Sequence, residues 1–269
     1  MADLWTWFRS RPTVTLLRLE GVIGAGTRLG APALTDAGLA PLIEAAFRRR
    51  PKAVALVINS PGGSPAQSSL IAARIRRLSE ERKVPVLAFC EDVAASGGYW
   101  LATAAEEIFV DASSIVGSIG VISASFGFHE LLARGGVERR VHTAGEDKSL
   151  LDPFRPERPE DVARLKRIQA IVHANFIDQV RARRGLKLKG ENLFSGEIWV
   201  GAGAVETGLA DGIGHLVPVL KARFGPEVRL RPLAPRRPLF RRFGLPGLGA
   251  ALGEVEDGAL WARYGLPRP

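Results

Sequence analysis

The stretch "VPVLAFCEDVAASGGYWLATAAEEIFVD", residues 84–111, decides the fold class. It starts with a short run that is apolar throughout, which is typical of a strand buried on both faces of a sheet. A turn of small residues and glycine follows, then a helix-like segment, and then the strand-like "EIFVD". Two buried strands joined through a helix are expected to pair in parallel, because a parallel pair requires a crossover connection.

The same alternation of strands and helices continues before this stretch. A strand is predicted at "TVTLLRLEGVIG", from residue 13, and another at "AVALVIN", residues 53–59. Ser64, Pro65 and Gln67 then predict a helix start: a capping hydroxyl, a proline at the first helical position and a glutamine that closes the capping box. We therefore predict an α/β fold with largely parallel pairing.

We expect one folded domain with an extension at each end. Residues 13–225 carry the alternating pattern, which includes a long amphipathic helix at residues 158–184. Residues 1–12 mix tryptophan and arginine and are predicted to be an N-terminal extension. Proline, glycine and arginine dominate residues 226–269, so we predict a basic and apolar C-terminal tail, in which "GAALGEVEDGALWARYG" could form a short docking helix.

The composition excludes several classes of protein. The 269 residues carry a net charge of +9 and one cysteine, Cys90, so neither an intrachain disulfide nor a cysteine-based zinc cluster can form. The longest aliphatic run, "AVALVI", is far shorter than the ~20 residues of a membrane-spanning helix, and the N-terminus lacks the apolar region of a secretory signal. We expect a cytoplasmic protein in a reducing compartment, with no metal and no cofactor.

The basic residues raise the question of an anionic partner. Residues 221–243 hold eight Lys or Arg against one acid, Glu227, and the N-terminus combines Trp5, Trp7 and Phe8 with arginine. Apolar and basic residues mixed in this way suit an anionic membrane surface at least as well as a nucleic acid. Since the sequence has no zinc finger or RNP-type motif, we expect no nucleic-acid binding. The two termini are candidates for peripheral attachment at the inner membrane.

Two glycine-rich turns each follow a buried strand and open a helix: "NSPGGSP", residues 59–65, and "AASGGYW", residues 94–100. In an α/β sheet such turns meet at the carboxyl ends of the strands, where ligands bind. Their backbone N–H groups could stabilise an oxyanion beside the hydroxyl of Ser96, much as in a nucleophile elbow. The alternative is structural, with Ser96 in a tight corner of the core and "NSPGG" as a type II turn with a helix cap.

A serine nucleophile needs a base, and the residues alone do not choose it. None of the histidines has a recognisable signature beside an acidic partner (His129, His142, His173 and His215). A lysine can serve if burial makes its amine neutral, but seven lysines compete for this role. Lys148 lies in "HTAGEDKSLLDPF" among acidic residues that would favour the charged form of its amine, namely Glu146, Asp147 and Asp152.

Four segments in this order resemble the signal peptide peptidase A family of serine peptidases: "VINSPGGSP", "EDVAASGGYWLATAAEEIFVDASSIVGSIGVI", "HTAGEDKSLLDPF" and "SGEIWVGAGAVETGLADGIG". The resemblance covers residues 14–220 and implies a single-domain ClpP/crotonase-like fold of repeated ββα units. It also implies cleavage of apolar peptides, such as remnant signal peptides or membrane-derived fragments. Members of the family assemble into rings or domes, so a homo-oligomer is expected.

The resemblance assigns roles to five residues. Ser96 is the expected nucleophile and Lys148 the general base, both supplied by one chain as in the short form of the family. Ser118 is expected to orient the lysine. The backbone N–H groups of Gly63 and Gly97 are the expected donors of the oxyanion hole.

Two other functions remain open from the sequence. A crotonase-like acyl-CoA enzyme on the same fold would use glycine-turn amides for a thioester oxyanion and a carboxylate base, for which Glu91 or Asp92 could be proposed. A catalytically inactive scaffold would bind apolar peptides without cleaving them. A serine endopeptidase with a Ser/Lys dyad is the preferred interpretation, because the acyl-CoA reading leaves Ser96 and Lys148 without a purpose and intact candidate residues count against the inactive scaffold.

Overall fold

The computed structural model describes residues 11–24, 34–145, 148–233 and 258–267, and the chain divides into two compact units. The first unit comprises the described residues up to Ile119 and from Ile177 onward, and the second comprises Gly120–Phe176. Among the described residues, every helix is too short or too polar to span a lipid bilayer.

The first unit is built on one sheet, which has eight strands within the described residues. The strands are β1 (Thr13–Glu20), β2 (Ala53–Ser60), β3 (Val86–Ala95), β4 (Glu107–Val110), β5 (Ile115–Gly117), β6 (Ile198–Val200), β7 (Gly212–Ile213) and β8 (Arg229–Pro232). Their order in the sheet is β6-β5-β3-β2-β1-β8, and β4 pairs with β3 and β7 off this path. All of these pairs are parallel except that of β5 with β6. The predicted α/β fold is therefore confirmed.

Helices connect the strands, as a parallel sheet requires. Five of the helices named here lie in the first unit: α1 (Asp36–Phe47), α2 (Pro65–Arg82), α3 (Gly97–Ala102), α6 (Ala202–Glu206) and α7 (Leu216–Phe224). The second unit contains α4 (His129–Arg134) and the beginning of α5 (Pro159–Arg184), which ends in the first unit.

The centre of the sheet is formed by β2 and β3. Every residue of β2 is buried, as the unbroken apolar run "AVALVI" predicts. β3 pairs with β4 over Leu87–Cys90 and then with β5 over Val93–Ala95. Ser96 directly follows β3 and is the N-cap residue of α3. A deeply buried strand therefore holds the turn that the sequence singles out.

The start of α2 agrees with the prediction in its cap and differs in one contact. Ser64 is the N-cap, its hydroxyl accepts a hydrogen bond from the Gln67 amide, and Pro65 is the first helical residue. The predicted closure of the capping box by the Gln67 side chain is wrong. The Ser64 amide donates instead to the Ile23 carbonyl (2.8 Å), and the Gln67 side-chain oxygen accepts from the Asp36 amide (2.8 Å). Gln67 thereby connects the starts of α1 and α2.

The prediction that residues 226–269 form a tail is wrong for one part of this segment. β8 lies within the segment and pairs with β1 as an edge strand of the sheet, where a proline such as Pro232 is tolerated. Further along, residues 258–262 are helical, in agreement with the short docking helix expected in this stretch, and Trp261 (1% exposed) packs against Val93 and Ala95. The remainder of the predicted tail and most of the predicted N-terminal extension lie outside the described residues.

The second unit has little core of its own. Phe176 is its one buried apolar side chain within the described residues. An ion pair between Arg158 and Asp161 (2.7 Å) stands at the start of α5, and another joins Arg139 to Asp152 (3.0 Å). The unit exposes many large apolar side chains, which is typical of an interaction surface. They are Ile122, Phe126, Phe128, Leu131, Val137, Phe154, Ile168 and Ile171.

Candidate active site

Ser96 has a backbone conformation that L-residues rarely adopt, with φ 52° and ψ −122°. Its amide donates a hydrogen bond to the Gly117 carbonyl (2.8 Å), which fixes this strained turn between β3 and α3. Ser96 is partly exposed, whereas the residues on both sides of it, Val93–Ala95 and Gly97–Ala102, are buried. The fold therefore holds a single hydroxyl at the surface of a sharp strand-to-helix turn, as in a nucleophile elbow.

The glycines of the two turns let the backbones touch. A Cβ added at Gly62, whose φ is 106°, would lie 2.8 Å from the Ser96 Cβ and 2.9 Å from the Gly97 nitrogen. One added at Gly97 would lie 2.5 Å from the Ser68 hydroxyl oxygen and 3.4 Å from the Gly62 Cα. Only glycine fits this approach. The small residues around Ser96 thus form a tight corner and at the same time place a second turn beside the hydroxyl.

Two backbone donors of these turns are unused. Among the described residues, neither the Gly63 amide nor the Gly97 amide has a hydrogen-bond acceptor. Gly63 is held in place by Ile23, whose amide donates to the Gly62 carbonyl (2.8 Å) and whose carbonyl accepts from the Ser64 amide (2.8 Å). Free N–H groups fixed next to a serine hydroxyl can stabilise an oxyanion that forms at that hydroxyl.

Ser118 follows β5 as Ser96 follows β3. It is 8% exposed, and its amide donates to the Glu197 carbonyl (2.7 Å). It lines a cavity of about 310 Å³ that also includes Arg263 and Tyr264 from the C-terminal segment. Both residues belong to the stretch for which the sequence indicates a short docking helix, but a local pattern does not predict that this helix lies beside Ser118.

Lys148 lies in the second unit, in a turn where its amide donates to the Gly145 carbonyl (3.3 Å). Its side chain is exposed. Of its acidic neighbours, Glu146 and Asp147 lie outside the described residues. The Asp152 carboxylate is occupied: the Phe154 amide (3.1 Å) and the Arg139 guanidinium donate to it, and they hold its pKa below the usual range.

The carboxylates that the acyl-CoA alternative would use are both engaged. The guanidinium of Arg18 donates to the two oxygens of Glu91 at 3.0 and 2.7 Å. The side-chain amide of Asn59 donates to Asp92 at 2.8 Å. Both acids therefore serve in contacts within the chain, and this arrangement gives no support to either as a free general base.

Two further candidates for chemistry lie in the first unit. His215 and Asp111 are 2.8 Å apart, and this hydrogen bond lowers the pKa of Asp111. The sequence analysis found no acidic partner for any histidine, because these two residues are far apart along the chain. Burial raises the pKa of the Cys90 thiol to about 12, so Cys90 remains protonated and is unsuited to nucleophilic attack.

The largely parallel sheet, with the serine turn at the end of β3, defines the class of fold: an α/β fold of the ClpP/crotonase-like type. Residues 79–223, more than half of the chain, match peptidase family S49. The chain belongs to this family.

Three relatives illustrate the range of the match. "Serine protease SPPA, chloroplastic" of Arabidopsis thaliana is 34% identical over 167 residues, which cover 61% of this chain and 24% of that protein. "Protease 4" of Haemophilus influenzae is 34% identical over 171 residues, 61% and 26% of the two chains. "Na(+)/H(+) antiporter NhaA" of Brucella melitensis is 49% identical over 280 residues, 96% of this chain but 38% of that protein. The chain thus spans less than two fifths of that relative, whose name describes the longer protein.

Two solved structures of a membrane-bound stomatin-specific protease share the fold. One has a TM-score of 0.51 at 15% identity and covers 84% of this chain and 99% of its own. The other, in complex with a substrate peptide, has a TM-score of 0.51 at 14% identity and covers 92% and 99%. At this identity the likeness concerns the fold alone.

Proposed function

We propose that this chain is a serine endopeptidase in which Ser96 is the nucleophile and Lys148 the general base. The observation that carries the proposal is the strained conformation of Ser96 next to the unused amides of Gly63 and Gly97. If the turn were only a tight corner of the core, its one residue with positive φ would not need to carry a partly exposed hydroxyl. Membership of peptidase family S49 supports the same chemistry.

The proposed reaction follows from these groups. The Ser96 oxygen attacks the carbonyl carbon of a peptide bond while its proton passes to the neutral amine of Lys148. The carbonyl oxygen becomes an oxyanion, which the amides of Gly63 and Gly97 stabilise. When the C–N bond breaks, the lysine returns the proton to the leaving amine, and water then hydrolyses the acyl-enzyme. Ser118 is proposed to orient the lysine amine by a hydrogen bond.

The proposal requires that the Lys148 amine be shielded from solvent, because a solvated lysine amine stays charged at neutral pH. In the single chain its side chain is exposed. Assembly of several copies would provide the dry environment, and the exposed apolar side chains of the second unit supply suitable contact area. We therefore propose a homo-oligomer as the active form, in which the Lys148 amine lies within hydrogen-bond reach of the Ser96 oxygen.

The proposed substrates are apolar peptides in extended conformation, such as remnant signal peptides or membrane-derived fragments. Ser96 is partly exposed at its turn, and we propose that a peptide backbone lies against this turn as an added strand. Enclosure of the sites within an oligomer would restrict access to unfolded chains.

Cleavage of an apolar fluorogenic peptide tests the proposal. Ser96→Ala and Lys148→Ala should each lower kcat/KM by a factor on the order of 100 or more. Lys189→Ala, which removes another exposed lysine, should leave it unchanged. An active Lys148→Ala enzyme would refute the dyad. Acyl-CoA turnover that survives both changes would favour a crotonase-like enzyme, and peptide binding without cleavage by the wild type would favour a scaffold.

A further inference from the structure

A strongly basic cleft of about 860 Å³ lies in the first unit, at the end of the sheet where β1, β2 and β8 begin. No acidic residue of the described chain lines it. Its lysines and arginines are Arg11, Arg49, Arg50, Lys52, Arg82, Lys83, Arg229 and Arg231.

Strand starts and helix ends bring these residues together. The Lys52 amide donates to the Thr13 carbonyl and the Arg229 amide to the Pro12 carbonyl, both at 2.8 Å, so the starts of three parallel strands are aligned. The last residue of α2 and the turns that follow α1 and α2 supply Arg49, Arg50, Arg82 and Lys83. Because the strands are parallel, the cleft lies at the end of the sheet where the strands begin, and Ser96 lies at the opposite end, where they finish.

Most of these charges have no ion-pair partner in the part of the chain that the structure describes. Among the described residues, Arg11 is the one member of the cleft with an ion pair, to Glu227 at 3.2 Å, where both side chains are exposed. Basic residues after a helix are favoured by the carbonyl groups at its end, which explains those that follow α1 and α2. That reason does not apply to Lys52, Arg229 and Arg231, which lie at strand starts. Uncompensated like charges around one cleft repel each other and attract an anionic partner.

We propose that this cleft binds the anionic headgroups at the surface of a lipid bilayer. The sequence next to the cleft favours a bilayer over a nucleic acid. Trp5 and Phe8 precede Arg11 closely in the chain, and Phe240 and Phe243 follow the last strand among arginines. Tryptophan and phenylalanine beside basic residues are typical of segments that insert at a membrane interface.

When the cleft is bound to the bilayer, the end of the sheet that carries Ser96 faces away from the bilayer surface. A peptide released from the membrane could then reach the Ser96 turn while the cleft stays bound. The binding itself does not depend on the peptidase activity, so failure of one proposal leaves the other intact.

Co-sedimentation of the whole chain with vesicles tests the inference. The wild type should bind vesicles of phosphatidylcholine with roughly one third phosphatidylglycerol, should not bind pure phosphatidylcholine, and should dissociate as salt is raised. Each basic residue near an anionic surface contributes a factor of roughly five to binding. The variant Arg49→Glu/Lys52→Glu/Arg82→Glu should therefore bind at least about 100-fold more weakly.

Two matched variants make the outcome decisive. Lys166→Glu/Arg167→Glu/Lys189→Glu changes the net charge equally outside the cleft and should bind as the wild type does. Arg49→Gln/Lys52→Gln/Arg82→Gln provides a milder change, with an intermediate loss, if the reversed variant fails to fold. Equal binding by the cleft and control variants would overturn the proposal. So would a wild type that ignores the anionic vesicles, or one that binds labelled duplex RNA through these residues and not the vesicles.

Discussion

Ser96 and Ser118 occupy equivalent positions at the ends of two neighbouring parallel strands. Ala95 pairs with Gly117, and each serine directly follows one member of this pair. Both serines have positive φ, 52° and 50°. Such conformations cost about 1–3 kcal/mol each for a residue other than glycine, and the surrounding sheet must offset that cost. Two neighbouring serines with positive φ support the proposal that the active site lies at this end of the sheet.

The contact between the two glycine turns predicts the effect of Gly62→Ala. The new Cβ would clash with the Ser96 Cβ and the Gly97 nitrogen, so the turn must shift. We expect peptidase activity to fall by a factor on the order of 100, because a displacement of about 1 Å misaligns the nucleophile and the oxyanion donors. Activity and urea unfolding of the variant measure this.

Gly190→Ala is the matched control for that change. Gly190 also has positive φ (92°), but a Cβ there meets nothing within 4 Å. Gly190→Ala should lose about 1–2 kcal/mol of stability from its backbone conformation alone, less than Gly62→Ala with its added clash, and should keep its activity. If the two variants were equally active, the close approach of Gly62 would have no catalytic importance.

The packing of Trp261 predicts that the C-terminal segment stabilises the sheet. Its side chain is fully buried against Val93 and Ala95, next to Ser96 in sequence. Trp261→Ala should lower the free energy of unfolding by about 3–5 kcal/mol. Tyr264→Phe is the milder comparison: its hydroxyl is buried without a hydrogen-bond partner among the described residues, so its removal should be neutral or stabilising. A neutral Trp261→Ala would show that this segment does not pack there in solution.

Asp211 predicts a pH dependence of stability. Burial acts to raise its pKa, but hydrogen bonds from Arg184 (2.7 Å), Lys187 (2.6 Å) and the Ile108 amide (2.8 Å) outweigh burial and lower it. A lowered pKa in the folded state stabilises the protein above the pKa of the unfolded aspartate, about 4, and this stabilisation is lost as the pH falls further.

The variant Asp211→Asn tests this dependence. It should be less stable than the wild type at neutral pH by about 1–3 kcal/mol, and the difference should shrink as the pH falls below about 4. Urea unfolding at several pH values gives both quantities. Asp178→Asn, at an exposed position, is the control and should show no such difference. A gap that stays constant down to low pH would contradict the assignment.

Burial of Cys90 predicts that thiol reagents leave the native enzyme unaffected. Because its pKa is raised to about 12, the thiol stays protonated at neutral pH and is enclosed. Iodoacetamide should label it only after unfolding, and activity should persist after treatment of the folded protein. Rapid labelling with loss of activity would instead indicate a cysteine in the chemistry.

The parts of the fold that rest on local pattern could be predicted from the sequence. The buried run of β2 and the cap at Ser64 follow from residues adjacent in the chain, and they agree with the structure. The short helix that carries Trp261 was also expected, but not the residues against which it packs. β8 could not be predicted, because its segment is rich in proline and arginine. The partners of both elements lie far away in sequence.

The candidate site shows the same division. The turns around Ser96 and Gly63 were predicted because glycine at these positions has a local physical meaning. The pairing of His215 with Asp111, and the engagement of Glu91 by Arg18, depend on the tertiary fold. The surroundings of Lys148 in the proposed oligomer would depend on contacts between chains, which no local pattern encodes.

The most direct test of the proposed Ser/Lys dyad is labelling with a fluorophosphonate followed by peptide mapping, in the wild type and in Lys148→Met. The dyad predicts a label on Ser96 in the wild type and a labelling rate lower by a factor on the order of 100 in Lys148→Met, with Lys166→Met unaffected. A label on a different residue, or an unchanged rate in Lys148→Met, would refute the dyad.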